Sequence, residues 1–272
     1  MRKLLILIAV VAIFSCRPAG DPCAVKICGS TTVYPIIKDA VNSLSGSVKS
    51  GIELSSTGSV GGYKSLLSGE CDICDSSYRL TPEELNSLAA KNITLKEFVI
   101  GYDIVIPVVH LSNPLNEISA VHLKDIFTGA VTSWKEVKGA DTKITTVCRD
   151  GNSGTANVWN EKFLQMGNCS PKCIRSRSNS ESLSIVAHDP SAIGYISRAF
   201  LNSEVKELKI TGLSTDTASL KKHPGFRKLY LYVNEKNQCP AARSLAVFLM
   251  SKEGRELVLK NGFIPPSDSV KK

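Results

Sequence analysis

Val25-Lys26-Ile27-Cys28-Gly29-Ser30-Thr31-Thr32-Val33 passes from a short apolar run through a turn of Gly, Ser and Thr. Beyond it Ile37, Val41 and Leu44 recur at helical spacing, the stripe by which a helix faces a core. Strand, polar turn, helix is therefore the unit, and it returns twice. Ile52 and Leu54 alternate as a strand does, residues 55–62 are a turn rich in Ser and Gly, and residues 63–67 read as helix. Residues 144–148 read as a strand and 149–155 as its turn, and Ala156, Trp159, Phe163 and Met166 then share one helix face. Repeated units of this kind predict α/β layers.

The rest of the chain fits that pattern. Thr81-Pro82-Glu83-Glu84 is a capping box with proline at the first helical position, which starts a helix running through about Ala90. Residues 98–110 form a long apolar segment of strand type, suited to cross between two lobes. Residues 192–196 and 229–233 read as strands, and 241–250 and 253–260 as closing helices.

Composition narrows the class. The 272 residues are 43% hydrophobic and 21% charged, values of a globular chain and not of a disordered one. The formal net charge is +8, which suits an anionic ligand or a membrane surface as well as plain solubility. No basic run is interleaved with aromatics, which disfavours a nucleic-acid partner. Arg2 and Lys3 precede an apolar run over residues 4–14 and then Ser15-Cys16. This is the pattern of an export signal, and its apolar run is shorter than the roughly 20 residues a span requires. The placement of Cys16 resembles a bacterial lipobox, which implies lipidation of Cys16, removal of residues 1–15 and a tether over 16–23.

Nine cysteines are present. With Cys16 lipidated, eight remain, and an even number in an exported chain favours disulfides or buried thiols. Cys71-Asp72-Ile73-Cys74 has C-x-x-C spacing, but no second half of a zinc site follows, so no metal is expected. Connectivity stays open.

The chemistry lies in the three polar turns. Each offers backbone N–H groups at a helix N-terminus, where the first donors lack partners and the helix dipole is positive. Such an end is an anion site. Arg149 adds a planar fork suited to two oxyanion oxygens. None of the turns matches the P-loop pattern. A hydrolase using Ser153 or a cysteine needs a base, and His110, His122, His188 and His223 all lie outside the turns. No G-x-S-x-G elbow surrounds Ser153, which argues against an enzyme.

Gly29-Ser30-Thr31-Thr32-Val33, Ser56-Thr57-Gly58-Ser59-Val60-Gly61-Gly62, Asp72-Ile73 with Ser76-Ser77, and Arg149 with Ser153-Gly154-Thr155 together resemble the phosphate-binding subunit of phosphate ABC importers, a type II periplasmic binding protein family. Supporting stretches are Ile126-Phe127-Thr128-Gly129 and Gly262-Phe263-Ile264-Pro265. The resemblance implies a two-lobed α/β fold with two hinge crossovers, no catalysis and no cofactor. Lobe 1 is expected over residues 24–103 plus 231–272 and lobe 2 over 104–230, with crossovers near 102–106 and 229–233. Phosphate is the implied ligand, and an ABC permease and ATPase are the implied partners. The place is implied to be outside the cytoplasm, with a lipid anchor in the membrane. Carried over by position, Ser30, Thr31, Thr32, Ser59 and Ser77 serve from lobe 1, and Arg149, Ser153, Gly154 and Thr155 from lobe 2. Well-known members place an aspartate where Ser77 stands. That substitution leaves sulfate, tungstate or another tetrahedral oxyanion as alternatives, and a phosphate-sensing lipoprotein as a further one. Asp75 and Asp150 are then candidate proton acceptors, and the role of Arg79 is open.

Overall fold

The computed structural model describes residues 24–214, 216, 219–237 and 239–266. The lipidation expected at Cys16, the leader before it and the tether that follows, including Cys23, lie outside the described residues.

The first strand–turn–helix units form as the sequence predicts. β1 (Val25–Gly29) pairs in parallel with β2 (Ile52–Ser55) and β3 (Ile73–Ser76). Helices α1 (Tyr34–Ser43), α2 (Gly46–Lys49) and α3 (Ser59–Ser68) connect them. Helix α4 (Pro82–Ala90) starts at its capping box: Glu84 N donates to Thr81 Oγ1 at 3.2 Å, and Thr81 N donates to Glu84 Oε2 at 2.9 Å. Strand β4 (Leu95–His110) follows.

The second half repeats the scheme. It runs through β5 (Glu117–Ile118), α5 (Ala120–Thr128), β6 (Thr145–Arg149), α6 (Gly154–Lys162) and β7 (Ile174–Ser176). Then come α7 (Asn179–His188), β8 (Ala192–Ser197), β9 (Val205–Glu207) and β10 (Lys209–Ile210). Strand β11 (Phe226–Asn234) and helices α8 (Pro240–Met250) and α9 (Lys252–Lys260) return to the first half.

One path of strands, β2-β1-β3-β11-β4-β8-β6-β7, carries both halves, with β9 beside β4. β4 joins them because it changes partners along its length. Leu95 to Ile104 pair with β11, and Val105 to Val109 pair with β8. The return passage lies beside that point. Val105 N donates to Gly225 O at 2.9 Å, and Phe226 then pairs with Ile104. A Cβ on Gly225 would sit 2.3 Å from Val105 O, so only glycine lets the two passages run this close. Residues 229–233, expected as the second crossover, lie inside β11, where they pair with β3 and β4. Their apolar run reflects burial in the sheet, and the passage falls just before it.

One cluster lies within the first half, with Ile27, Ile36, Ile37, Leu245 and Leu249 all 1% exposed or less. Another runs across both halves and joins Leu66, Tyr78 and Leu88 to Phe127, Trp159 and Tyr195. Trp159 stacks on Tyr195 at 4.3 Å and meets Phe127 edge-on at 4.9 Å, geometries that add to the area these rings bury. The helix face expected to reach Met166 stops short. α6 ends at Lys162, Gln165 and Met166 turn with φ of 52° and 67°, and Met166 is 77% exposed. All seven described cysteines are buried, and Cys28, Cys71, Cys74, Cys148, Cys169 and Cys173 form no disulfide.

Candidate anion site

Four helices, α1, α3, α6 and α7, begin at turns that meet where the two halves face each other. Their first-turn amides, unpaired within the helices, line one small region together with a ring of hydroxyls. Ser30, Thr32, Ser59, Ser77, Ser153 and Thr155 are each 2% exposed or less, and Thr31 is half-buried.

The hydroxyls are joined across the halves. Thr32 Oγ1 and Thr155 Oγ1 lie 3.2 Å apart. Ser59 Oγ and Ser77 Oγ lie 3.2 Å apart, and Ser77 N donates to Ser59 Oγ at 3.0 Å. Gly154 presses on that pair: a Cβ there would come within 2.5 Å of Ser59 Oγ and 2.8 Å of Ser77 Oγ. Two hydroxyl oxygens also accept locally, which leaves their protons to donate. Ser30 Oγ accepts from Thr32 N and Val33 N, and Ser153 Oγ caps α6 by accepting from Ala156 N. They shape their turns.

Arg149 ends β6 and is 1% exposed. Its guanidinium donates to Thr31 Oγ1 at 3.0 Å, to Asn179 Oδ1 at 3.2 Å and to Arg177 O at 2.8 Å. Its backbone N donates to Tyr195 OH at 3.0 Å, which ties it to the aromatic core. Its Nε has no partner. Among the described residues no carboxylate lies within ion-pair distance of it; the ion pairs formed there involve other cations. Burial pulls its pKa down to about 10, and nearby Arg227 pulls in the same direction. A buried cation without a counter-ion is costly. An anion taken up beside Arg149 relieves that cost.

The sequence reading missed three participants. Asn179 begins α7, is fully buried, and bridges Arg149 to Thr32 through Nδ2–H donated to Thr32 Oγ1 at 2.9 Å. Arg227 on β11 donates to Thr155 Oγ1 at 3.0 Å and to Ser77 O at 3.3 Å. It is held by Asp103, which accepts from Nε and NH2 at 3.0 and 2.7 Å. Asn179 had a signal, since Ser176-Arg177-Ser178-Asn179 is a fourth strand–turn–helix. Arg227 and Asp103 lie 124 residues apart and had none.

The residues left open take clear places. Arg79 is exposed and paired with Glu97 at 3.2 Å, away from the ring. Asp150 accepts from Asn152 N within its own turn. Asp75 is 3% exposed, and its Oδ1 has no partner. Burial raises its pKa to about 7, with the Ser30 amide pulling the other way. Among the described residues no group of His, Cys, Asp and Glu is arranged to hold a metal ion, and no helix is long and apolar enough to cross a membrane.

An α/β fold in which helix N-termini and buried hydroxyls of two halves face each other is the architecture of a solute-binding protein. Residues 17–253 match the PBP superfamily domain, and the chain belongs to that superfamily. The phosphate-binding protein PstS of Borreliella burgdorferi is 27% identical over 283 residues, covering 97% of this chain and 99% of its own. PstS of Staphylococcus aureus is 29% identical over 223 residues, covering 76% of this chain and 67% of its own. Among solved structures, a substrate-binding protein from Clostridium perfringens, assigned to phosphate ABC transport and holding bound phosphate, superposes with a TM-score of 0.79 at 29% identity. It covers 90% of this chain and 100% of its own. An ABC-type phosphate transport receptor from Vibrio cholerae superposes with a TM-score of 0.73 at 26% identity, covering 89% and 100%.

Proposed function

We propose that this protein binds inorganic phosphate outside the cytoplasmic membrane and delivers it to the permease and ATPase of an ABC importer. The observation that carries the reading is Arg149, a buried cation without a carboxylate, faced by hydroxyls and helix N-termini from both halves. Those groups donate to an oxyanion and supply the charge it needs. The names of the relatives support phosphate as that oxyanion. In this reading Ser30, Thr31, Thr32, Ser59 and Ser77 bind from one lobe, and Arg149, Ser153, Gly154 and Thr155 from the other. The lobes divide where β4 changes partners and where β11 begins, and they close on the ligand. Cys16 carries the lipid that keeps the protein at the membrane.

A second reading, another tetrahedral oxyanion, is favoured by one observation. Ser77 puts a hydroxyl in the ring beside Ser59, and a hydroxyl accepts or donates as required. Phosphate can give its proton to it, but sulfate meets no repulsive carboxylate there. Isothermal titration of the mature protein with phosphate and with sulfate tests both readings. Phosphate is expected to bind at micromolar concentration or below, with sulfate weaker but measurable. No phosphate binding at micromolar concentration overturns the first reading, and sulfate binding tighter than phosphate replaces it with the second.

A further inference from the structure

Cys148, Cys169 and Cys173 converge from β6 and from the segment between α6 and β7. Cys148 lies on β6, Cys173 stands just before β7, and Cys169 lies in the segment after α6. They are 0%, 6% and 7% exposed, in the core that holds Phe127 and Trp159. Side-chain hydrogen bonds join each of the three pairs. The register that sets Cys148 opposite Arg175 brings Cys173 alongside. The loop is pinned, since Ser170 N donates to Phe127 O at 2.8 Å and Cys173 N to Ser170 O at 3.2 Å. Of the other described cysteines, Cys28, Cys71 and Cys74 lie on or beside β1 and β3, and Cys239 caps α8. Among the described residues this trio is not arranged as a metal site.

Three sulfurs in contact can make one disulfide and no more. We propose that Cys148, Cys169 and Cys173 form a redox site that holds one disulfide, made by Cys173 with Cys169 or with Cys148, and keeps the third sulfur as a thiol. Cys173 is the shared member by placement: the register of β6 and β7 sets it beside Cys148, and its bond to Ser170 ties it to the loop that carries Cys169. Hydrogen bonds from Cys148 and Cys169, with Arg175 nearby, also pull its pKa down, and the thiolate is the attacking form. The oxidant is a small-molecule disulfide. Cys173 sulfur attacks it, one of its sulfurs leaves as a thiolate, and a mixed disulfide remains. Cys169 or Cys148 then attacks the Cys173 sulfur and expels the second thiolate. Two cysteine thiols lose two electrons and two protons, and the oxidant becomes two thiols. The third cysteine can attack the same Cys173 sulfur and exchange the bond without further oxidant.

The two bonds differ in what they hold. Cys148 directly precedes Arg149, and β7 leads into Arg177 and Asn179, both of which touch the Arg149 guanidinium. A Cys148–Cys173 bond fastens those two strands together beneath Arg149. A Cys169–Cys173 bond closes only the loop between them.

The test is to treat the purified mature protein with oxidised glutathione, denature it, alkylate it with N-ethylmaleimide and map unreduced peptides. One alkylated thiol in the trio and a linkage from Cys173 to Cys169 or Cys148 are expected. Three alkylated thiols, a Cys148–Cys169 bond, or a bond from the trio to an outside cysteine overturns the proposal. C169S should move the whole linkage to Cys148–Cys173, and C148S should move it to Cys169–Cys173. Two free thiols in either folded variant overturn it as well. Should a variant not fold, the map of the unmutated protein decides alone.

Discussion

Replacing Gly154 by alanine separates ligand binding from folding. Gly154 is the first residue of α6 and is not among the glycines of positive φ, so the backbone accepts alanine, which is the better helix former by roughly 1 kcal/mol at interior positions. The added methyl meets the facing lobe, 2.5 Å from Ser59 Oγ and 2.8 Å from Ser59 Cβ and Ser77 Oγ. Real Cβ contacts do not come that close, so the lobes must part or the serines must move. Overpacking of this kind costs roughly 1–3 kcal/mol. If the ligand-free protein opens, the cost falls on the bound state alone and weakens phosphate roughly 5- to 150-fold. The assay is isothermal titration with phosphate beside thermal unfolding without it. The expected result is weaker binding with an unchanged or higher ligand-free Tm. An unchanged Kd refutes the close approach of the lobes. A ligand-free Tm that falls in step with affinity refutes the coupling of closure to binding.

Arg149→Met removes a buried cation. Losing one side of a buried charge pair costs at least roughly 2 kcal/mol, so phosphate should weaken about 30-fold or more by titration, while the ligand-free Tm should not fall. Asp75 gives a pH signature. Its folded pKa of about 7 lies above the 3.8 of an ordinary aspartate. The folded state therefore binds more protons across that interval, and stability is lost as pH rises through it, by roughly 4 kcal/mol in all. In phosphate-free buffer, Asp75→Asn should raise Tm at pH 8 and change it little near pH 4; an equal effect at both would disprove the assignment. Arg227→Met strands Asp103, whose ion pair is 2.7 Å long and 2–3% exposed, and should cost roughly 3–5 kcal/mol in denaturant unfolding. Adding Asp103→Leu should recover much of that loss. Cys16→Ser should shift the protein from the membrane fraction to the soluble fraction of its host, as read by immunoblot.

What could be read from the chain was local. The Thr81–Glu84 box needs only four residues, and both of its hydrogen bonds form. The three Ser/Thr/Gly turns could be read because strand, turn and helix each leave a short-range pattern, and Thr32, Ser59, Ser77, Arg149, Gly154 and Thr155 meet at one place. What could not be read depends on distant partners. Arg227 sits within an apolar strand and gains its role from Asp103 across the sheet. Asn179 had only the weak signal of its turn, because β7 before it has three residues, two of them exposed, too short for alternation to show. The helical stripe through Trp159 and Phe163 extrapolated to Met166, but two residues with positive φ end it sooner.

In the proposed function one tetrahedral anion lies between the lobes against Arg149. A crystal grown with arsenate, a tetrahedral analogue of phosphate that scatters anomalously, would locate it. One strong peak is expected within hydrogen-bond distance of the Arg149 guanidinium and of hydroxyls from both Thr32 and Thr155. A peak found only in the open groove lined by Tyr78, Arg79, Lys162 and Tyr230, or no peak beside Arg149, would contradict it.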